Sequence, residues 1–192
     1  MASENAGKLR ELRAIAAELL PDVEVVTPKE LGLTIDYPEE GAEYAPNAIA
    51  KAAAASLASG LPAIADDSGI EVEALDWGPG PASARYAATD EARIDRLLAA
   101  LGDLPPARRR ARFRAVAACV LPDREPLVAE GVWDGLILAE RRGAGGFGYD
   151  PIFFDPEAGC CAAEMTPAEK ASRSHRGQAL RALVLMLRGV SY

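Results

Sequence analysis

A chain of 192 residues, 49% hydrophobic, is long enough to fold as one domain, or as two closely joined lobes, around a real core. Its net charge of −8 and pI near 4.8 argue against the broad basic face that a nucleic-acid polymer needs, while a small anion held by a few placed cations stays allowed. Three cysteines without paired spacing and a single histidine exclude a disulfide framework and a multi-histidine metal centre. No apolar run is long enough to span a membrane and no signal peptide opens the chain, so a soluble, cytoplasmic protein is expected.

Residues 7–20 predict a helix, with Leu9, Leu12, Ile15, Ala16, Leu19 and Leu20 at helical spacing and Pro21 as its stop. Val23 to Val26 is a short strand candidate, and 27–44 reads as loop. The alanine-rich stretch 46–59 predicts a second helix, with Pro46 in its first turn. Residues 62–66 read as a buried strand that ends in Asp66-Asp67-Ser68-Gly69, followed by a separate alternating stretch from Ile70 to Leu75. A helix over 90–101 is closed by Gly102. Ala111–Val120 and Val128–Glu140 read as strands, 143–150 as a glycine-rich loop, and 175–188 as a last helix behind Ser174. This order predicts an α/β fold: an elongated mixed β-sheet flanked by helices.

Five clusters could carry chemistry, and each also has an ordinary structural explanation. Ser3-Glu4-Asn5-Ala6-Gly7-Lys8 opens a helix, where exposed amides and a lysine suit a phosphate; plain helix capping explains it equally. Asp66 and Asp67 offer hard oxygen ligands for a cation such as magnesium, or simply form a turn. Arg85, in Ser83-Ala84-Arg85-Tyr86, could fork onto a phosphate or lie on the surface. In the run from Gly145 to Pro151, glycines permit close approach of backbone, and Phe147 and Tyr149 offer faces to a nucleobase; a tight hairpin with core aromatics is the alternative. Glu169-Lys170 and Ser174-His175-Arg176 place cations at a helix start, fit for an anion or a carbonyl oxygen, or for capping alone.

Together the stretches SENAGK, NAIAKA, LPAIADDSGIEVEAL, PGPASARYA, GFGYDPIFF and EMTPAEKASRSHRGQAL resemble the inosine triphosphate pyrophosphatase family, also described as dITP/XTP pyrophosphatases, from Ala2 to about Arg188. The resemblance implies a single pyrophosphatase domain of two lobes with the active site in a central cleft, a homodimer, a magnesium cofactor, and hydrolysis of non-canonical purine triphosphates to monophosphate and pyrophosphate. It also implies roles. Ser3, Asn5 and Lys8 hold the triphosphate. Asp67 serves the metal and accepts a proton, and Ser68 touches substrate. Phe147, Gly148, Tyr149, Asp150, Lys170, His175 and Arg176 form the nucleoside pocket. Lys170 and Arg176 donate but cannot accept, which favours a 6-oxo over a 6-amino purine.

Two departures qualify the match. Members of the family usually carry a short apolar strand ahead of the phosphate loop, where only Met1 and Ala2 stand here, so a truncated or natively short start is expected. The acidic residue that usually precedes the asparagine of NAIAKA is Pro46, which cannot coordinate; Glu39, Glu40, Glu43 or water would replace it, and weaker magnesium binding is expected. Both departures keep open a nucleotide-binding protein that has lost hydrolysis, beside a related pyrophosphatase with another base preference.

Overall fold

The computed structural model describes residues 1–2, 6–37 and 41–189. Five α-helices occur among them: α1 (Ala6–Leu19), α2 (Tyr44–Ser59), α3 (Asp90–Leu101), α4 (Pro167–Arg173) and α5 (His175–Arg188). They accompany a six-stranded sheet of order β2-β1-β3-β4-β5-β6, built from β1 (Ala63–Val72), β2 (Gly78–Pro79), β3 (Arg110–Val120), β4 (Leu127–Ile137), β5 (Phe153–Asp155) and β6 (Cys160–Cys161). The pairs β1–β2, β4–β5 and β5–β6 are antiparallel. Among the described residues no helix is long and apolar enough to cross a membrane.

The chain divides into two compact units. The first comprises residues 1–67, 115–131 and 176–192; the second comprises 68–114 and 132–175. The divisions fall inside β1, β3 and β4, and at the junction of His175 and Arg176.

The first unit has a mainly aliphatic core of small and branched side chains, with the Tyr44 ring buried against Ala48, Val116 and Ala118. Leu12 and Ile15 of α1 meet Leu180, Leu183, Val184 and Leu187 of α5 and alternate residues Ala115, Ala117 and Cys119 of β3. This is the expected burial of one helical stripe against one strand face. On α2, Ala52 and Ala55 are buried with Ala63 and Ala65, and Ala48 is buried with Ala118. Methyl side chains let this helix approach the sheet closely. Its left-handed C-cap, Gly60 (φ 68°), ends it with an N–H donated to Ser56.

The second unit is aromatic. Phe113 lies 4.5 Å from Phe153 and 6.2 Å from Trp133, and the Trp133 and Phe153 rings are 4.9 Å apart. Ile94, Leu97 and Leu101 of α3 pack onto this group. The buried Trp133 indole donates to Asp155 at 3.0 Å, so its polar edge stays satisfied.

Two expectations are corrected. Residues 62–75 are not two strands parted by a turn. β1 runs unbroken through Asp66-Asp67-Ser68-Gly69 to Val72, and Glu73–Leu75 is a 3-10 turn. A strand can carry two adjacent carboxylates because successive side chains point to opposite faces, and here each face supplies cations or donors. Val23–Val26 is not a strand. The Val25 carbonyl is taken by the Arg13 guanidinium (3.0 and 2.9 Å) and the Val26 carbonyl by the Met1 nitrogen, while the Ala2 N–H donates to Ile64 of β1. The short helix α4 has no apolar stripe in sequence to announce it. Pro167 in its first turn and a reciprocal capping box between Thr166 and Glu169 stabilise so short a helix.

Candidate functional site

In the first unit the two carboxylates of β1 serve two separate groups. Asp66 accepts from Lys8 of α1 at 2.9 Å and from Arg176, the second residue of α5, at 3.1 Å. Arg176 also reaches Glu11, one turn beyond Lys8, at 3.2 Å. Burial pushes the Asp66 carboxyl upward, but Lys8 and Arg176 more than offset this and hold its pKa well below the ordinary carboxylate range. Burial likewise lowers the Lys8 ammonium, with Asp66 opposing, while Asp66 and Glu11 outweigh burial at Arg176 and keep it charged.

Asp67 turns the other way, to α2. Its Oδ2 accepts from the Asn47 amide at 2.8 Å and its Oδ1 from the Lys51 ammonium at 3.3 Å. Asn47 is fixed in turn by Gly41, whose N–H donates to its carbonyl (2.7 Å) and whose carbonyl accepts its NH2 (3.1 Å). Asp67 is therefore a buried, oriented carboxylate with a cation beside it. Asn47 and Lys51 were missed as functional groups. Their i, i+4 spacing inside NAIAKA, which sets both on one helix face, was the available signal.

The second unit holds a compact turn. The Phe147 N–H donates to Asp150 Oδ2 at 2.8 Å, and the Lys170 ammonium makes a short contact with the same oxygen. That ammonium also lies 4.4 Å from the centre of the Phe147 ring, within cation–π range. Gly146 has φ +74°, and a Cβ there would come within 2.0 Å of Asp150 Oδ2, so no other residue fits. Asp150 is thus an internal strut of the turn, and Phe147, half-buried, is the aromatic with exposed surface. Tyr149 belongs to the core. Its hydroxyl donates to the Ser83 carbonyl at 2.9 Å, and burial pushes its pKa up.

The other expected residues are placed as follows. His175 is buried and stacked on Phe113, centroids 4.7 Å apart and planes 9° apart. Ser68 is half-buried beside Asp67 on β1. Arg176 groups with Lys8 and Asp66, rather than with Lys170 and Phe147. Arg85 is exposed on the 3-10 turn Gly80–Arg85, whereas Ser83 is buried with its hydroxyl on Ile70. Ser3, Asn5, Glu39 and Glu40 lie outside the described residues.

No group of three or more His, Cys, Asp or Glu side chains among the described residues could enclose a metal. Glu43 is exposed and immediately precedes α2, and Pro46 offers no ligand. Of the two β1 carboxylates, Asp66 is taken up by Lys8 and Arg176, which leaves Asp67 to offer a metal an oxygen ligand. That donor set fits magnesium, which is commonly held by one or two carboxylates and completes its octahedron with water and substrate phosphates.

The first unit thus holds a buried charge cluster and the second a braced turn with a ring beside an ammonium. The chain belongs to the Ham1 family, whose model matches residues 1–186. It is 50% identical over 196 residues to the dITP/XTP pyrophosphatase of Methylococcus capsulatus, with 100% of this chain and 96% of that protein covered. The dITP/XTP pyrophosphatase of Pectobacterium atrosepticum is 47% identical, with 98% and 96% covered. Among solved structures, the Staphylococcus aureus Ham1 protein superposes with a TM-score of 0.87 at 40% identity, and a HAM1 protein from Coxiella burnetii with 0.85 at 44%; each covers 98% of this chain and 96% of its own.

Proposed function

We propose that this chain hydrolyses the triphosphates of 6-oxo purines, inosine and xanthosine and their deoxy forms, to the nucleoside monophosphate and pyrophosphate. The observation that carries the reading is Asp67, a buried carboxylate oriented by Asn47 and Lys51 and neighboured on its strand by a buried cation cluster. The names of relatives that match over nearly the whole chain supply the substrate class.

In this reading Asp67 orients a water and takes its proton as the water oxygen bonds to the α-phosphorus. The α–β anhydride bond breaks, and its electron pair leaves on the bridging oxygen of pyrophosphate. Lys8 and Lys51 stabilise the charge that develops on the phosphate oxygens. Magnesium, with Asp67 as its protein ligand, supplies charge neutralisation of the phosphates when bound. Asp66 and Glu11 hold Arg176, and Asp66 holds Lys8, in this cluster.

The purine lies against Phe147, and Lys170 selects it. An ammonium donates and never accepts, so it matches the 6-oxo group of inosine and xanthosine. Adenine presents a 6-amino donor, leaving two donors facing each other at a cost of about 1–3 kcal/mol.

The reading includes a cytoplasmic homodimer, which light scattering checks as about twice the 20.2 kDa chain mass. The decisive test is pyrophosphate release from inosine, xanthosine, adenosine and guanosine triphosphates, with magnesium and with chelator. Release chiefly from the first two, abolished by chelator, is the expected result. Binding of inosine triphosphate without release would overturn it in favour of a nucleotide-binding protein.

A further inference from the structure

We infer that Asp90, a residue outside every motif considered above, is a positioning residue for the purine-binding turn. This inference rests on the assignment of Phe147 and Lys170 to the base. Asp90 is the first residue of α3, directly after the N-cap Thr89, whose hydroxyl already accepts the Ala92 N–H. The helix start is therefore capped without Asp90, and its carboxylate is used elsewhere. Its Oδ2 accepts the Gly148 N–H at 2.8 Å across 58 residues of sequence, and its Oδ1 pairs with Arg93.

Gly148 is the corner of the turn, at φ +62°, in the left-handed region that glycine enters without strain. The Phe147–Gly148 peptide is held at both ends. Its N–H goes to Asp90, and its carbonyl accepts a long turn bond from the Asp150 N–H at 3.4 Å. The Phe147 side chain leaves one end of that peptide, so fixing the plane of the peptide fixes where the ring sits over Lys170. Two further ties, Phe147 N–H to Asp150 and Gly145 N–H to the Ala163 carbonyl, secure the turn at its base and not at its corner. An anionic acceptor for one amide is among the stronger single hydrogen bonds available to a loop. Without it the amide end of the corner peptide loses its anchor, at the residue type whose backbone is least restricted.

The test compares Asp90→Ala, Asp90→Asn and Arg93→Ala in steady-state hydrolysis of inosine triphosphate, with amide hydrogen exchange of residues 145–150. Asp90→Ala is expected to raise KM about ten-fold, with kcat within about two-fold, because binding of the base is lost and the chemistry at Asp67 is not touched. Asp90→Asn keeps an oxygen acceptor and is expected to recover most of the affinity. Arg93→Ala removes the other partner of Asp90 and is expected to leave KM unchanged. Gly148 protection should fall in Asp90→Ala alone. An unchanged KM with lost Gly148 protection, or an Arg93→Ala variant as impaired as Asp90→Ala, overturns the positioning role. If the wild-type protein releases no pyrophosphate, the enzymatic reading fails. The anchor is then judged by the affinity for inosine triphosphate, measured by calorimetry on the same variants, where unchanged affinity in Asp90→Ala overturns it.

Discussion

The two units solve opposite problems. In the first, three cations (Lys8, Lys51 and Arg176) and three carboxylates (Glu11, Asp66 and Asp67) form two neighbouring groups over a mainly aliphatic core whose one buried ring among the described residues is Tyr44. In the second, one lysine and two carboxylates, Asp150 and Asp90, brace a glycine turn beside a core of Phe113, Trp133, Tyr149 and Phe153. The first arrangement is costly to bury and is tolerated because every charge has an opposite neighbour. The second buries a single ion pair, Lys170–Asp150, at its turn and gives shape and a ring face. The proposed function places reactivity in one unit and selectivity in the other, and this assignment can be broken.

The largest effect is expected at Asp67. Asp67→Asn keeps the shape and the contact with Asn47 but removes the proton acceptor. A fall in kcat of about a thousand-fold is expected, within the span that general-base removal usually gives. Affinity for inosine triphosphate in chelator should change little, since the base is bound elsewhere. Single-turnover hydrolysis and calorimetry separate the two readings. A variant that keeps more than a tenth of the wild-type kcat would show that reactivity does not depend on this carboxylate.

A smaller and different effect is expected at Lys170. Lys170→Met preserves length and burial but removes the donor, so the preference for inosine over adenosine triphosphate should fall about ten-fold, chiefly through better handling of adenosine triphosphate. An unchanged ratio of kcat/KM values would move selectivity out of this unit. Asp150 then becomes the control: it loses its partner in Lys170→Met, and Asp150→Asn should perturb both substrates alike.

The asymmetry between units also explains what could be read from sequence. The stripes of α1 and α5 and the alanines of α2 follow helical spacing, so these helices and their buried faces were legible. β1 was not read as one strand, because adjacent carboxylates in a buried strand look forbidden until the cations on both faces are known. Those cations, Lys8, Lys51 and Arg176, come from positions 8, 51 and 176, and no local pattern links them to position 66 or 67. Arg176 was grouped with its sequence neighbours Lys170 and His175, although its guanidinium joins Asp66. Tyr149 and Phe147 look equivalent in sequence, yet period alone cannot say that one hydroxyl finds the Ser83 carbonyl while the other ring stays at the surface. Asp90 was invisible because its partner, Gly148, is a backbone group 58 residues away.

The last expectation concerns pH, and it sharpens the comparison from the side of stability. Asp66 is depressed in the folded state below its ordinary value of 3.8. A depressed carboxyl stabilises the fold fully above the unfolded value and loses that contribution as pH falls from there toward the folded one, since the unfolded chain then takes up the proton first. Wild-type stability should therefore be flat with respect to this group above about pH 5 and should fall steeply below about pH 4, by up to about 1.4 kcal/mol per pH unit for one proton. Lys8→Met removes one cation from Asp66 and raises its folded pKa toward the ordinary value, so stability should be lower above pH 5 and its fall below about pH 4 shallower than in the wild type. Glu30, pulled down to about 2 by Arg13 and Thr27 but exposed, is the control: solvent screens such a pair, and Glu30→Gln should leave the acid limb in place. Hydrogen exchange across the acid limb would locate the loss. Amides of α1 and of β1 near Asp66 should lose protection before those of α3. Simultaneous loss would show that Asp155, also lowered in spite of burial by the N–H groups of Ala158, Glu157 and Trp133, titrates in the same step, and that the second unit shares the acid sensitivity assigned to the first.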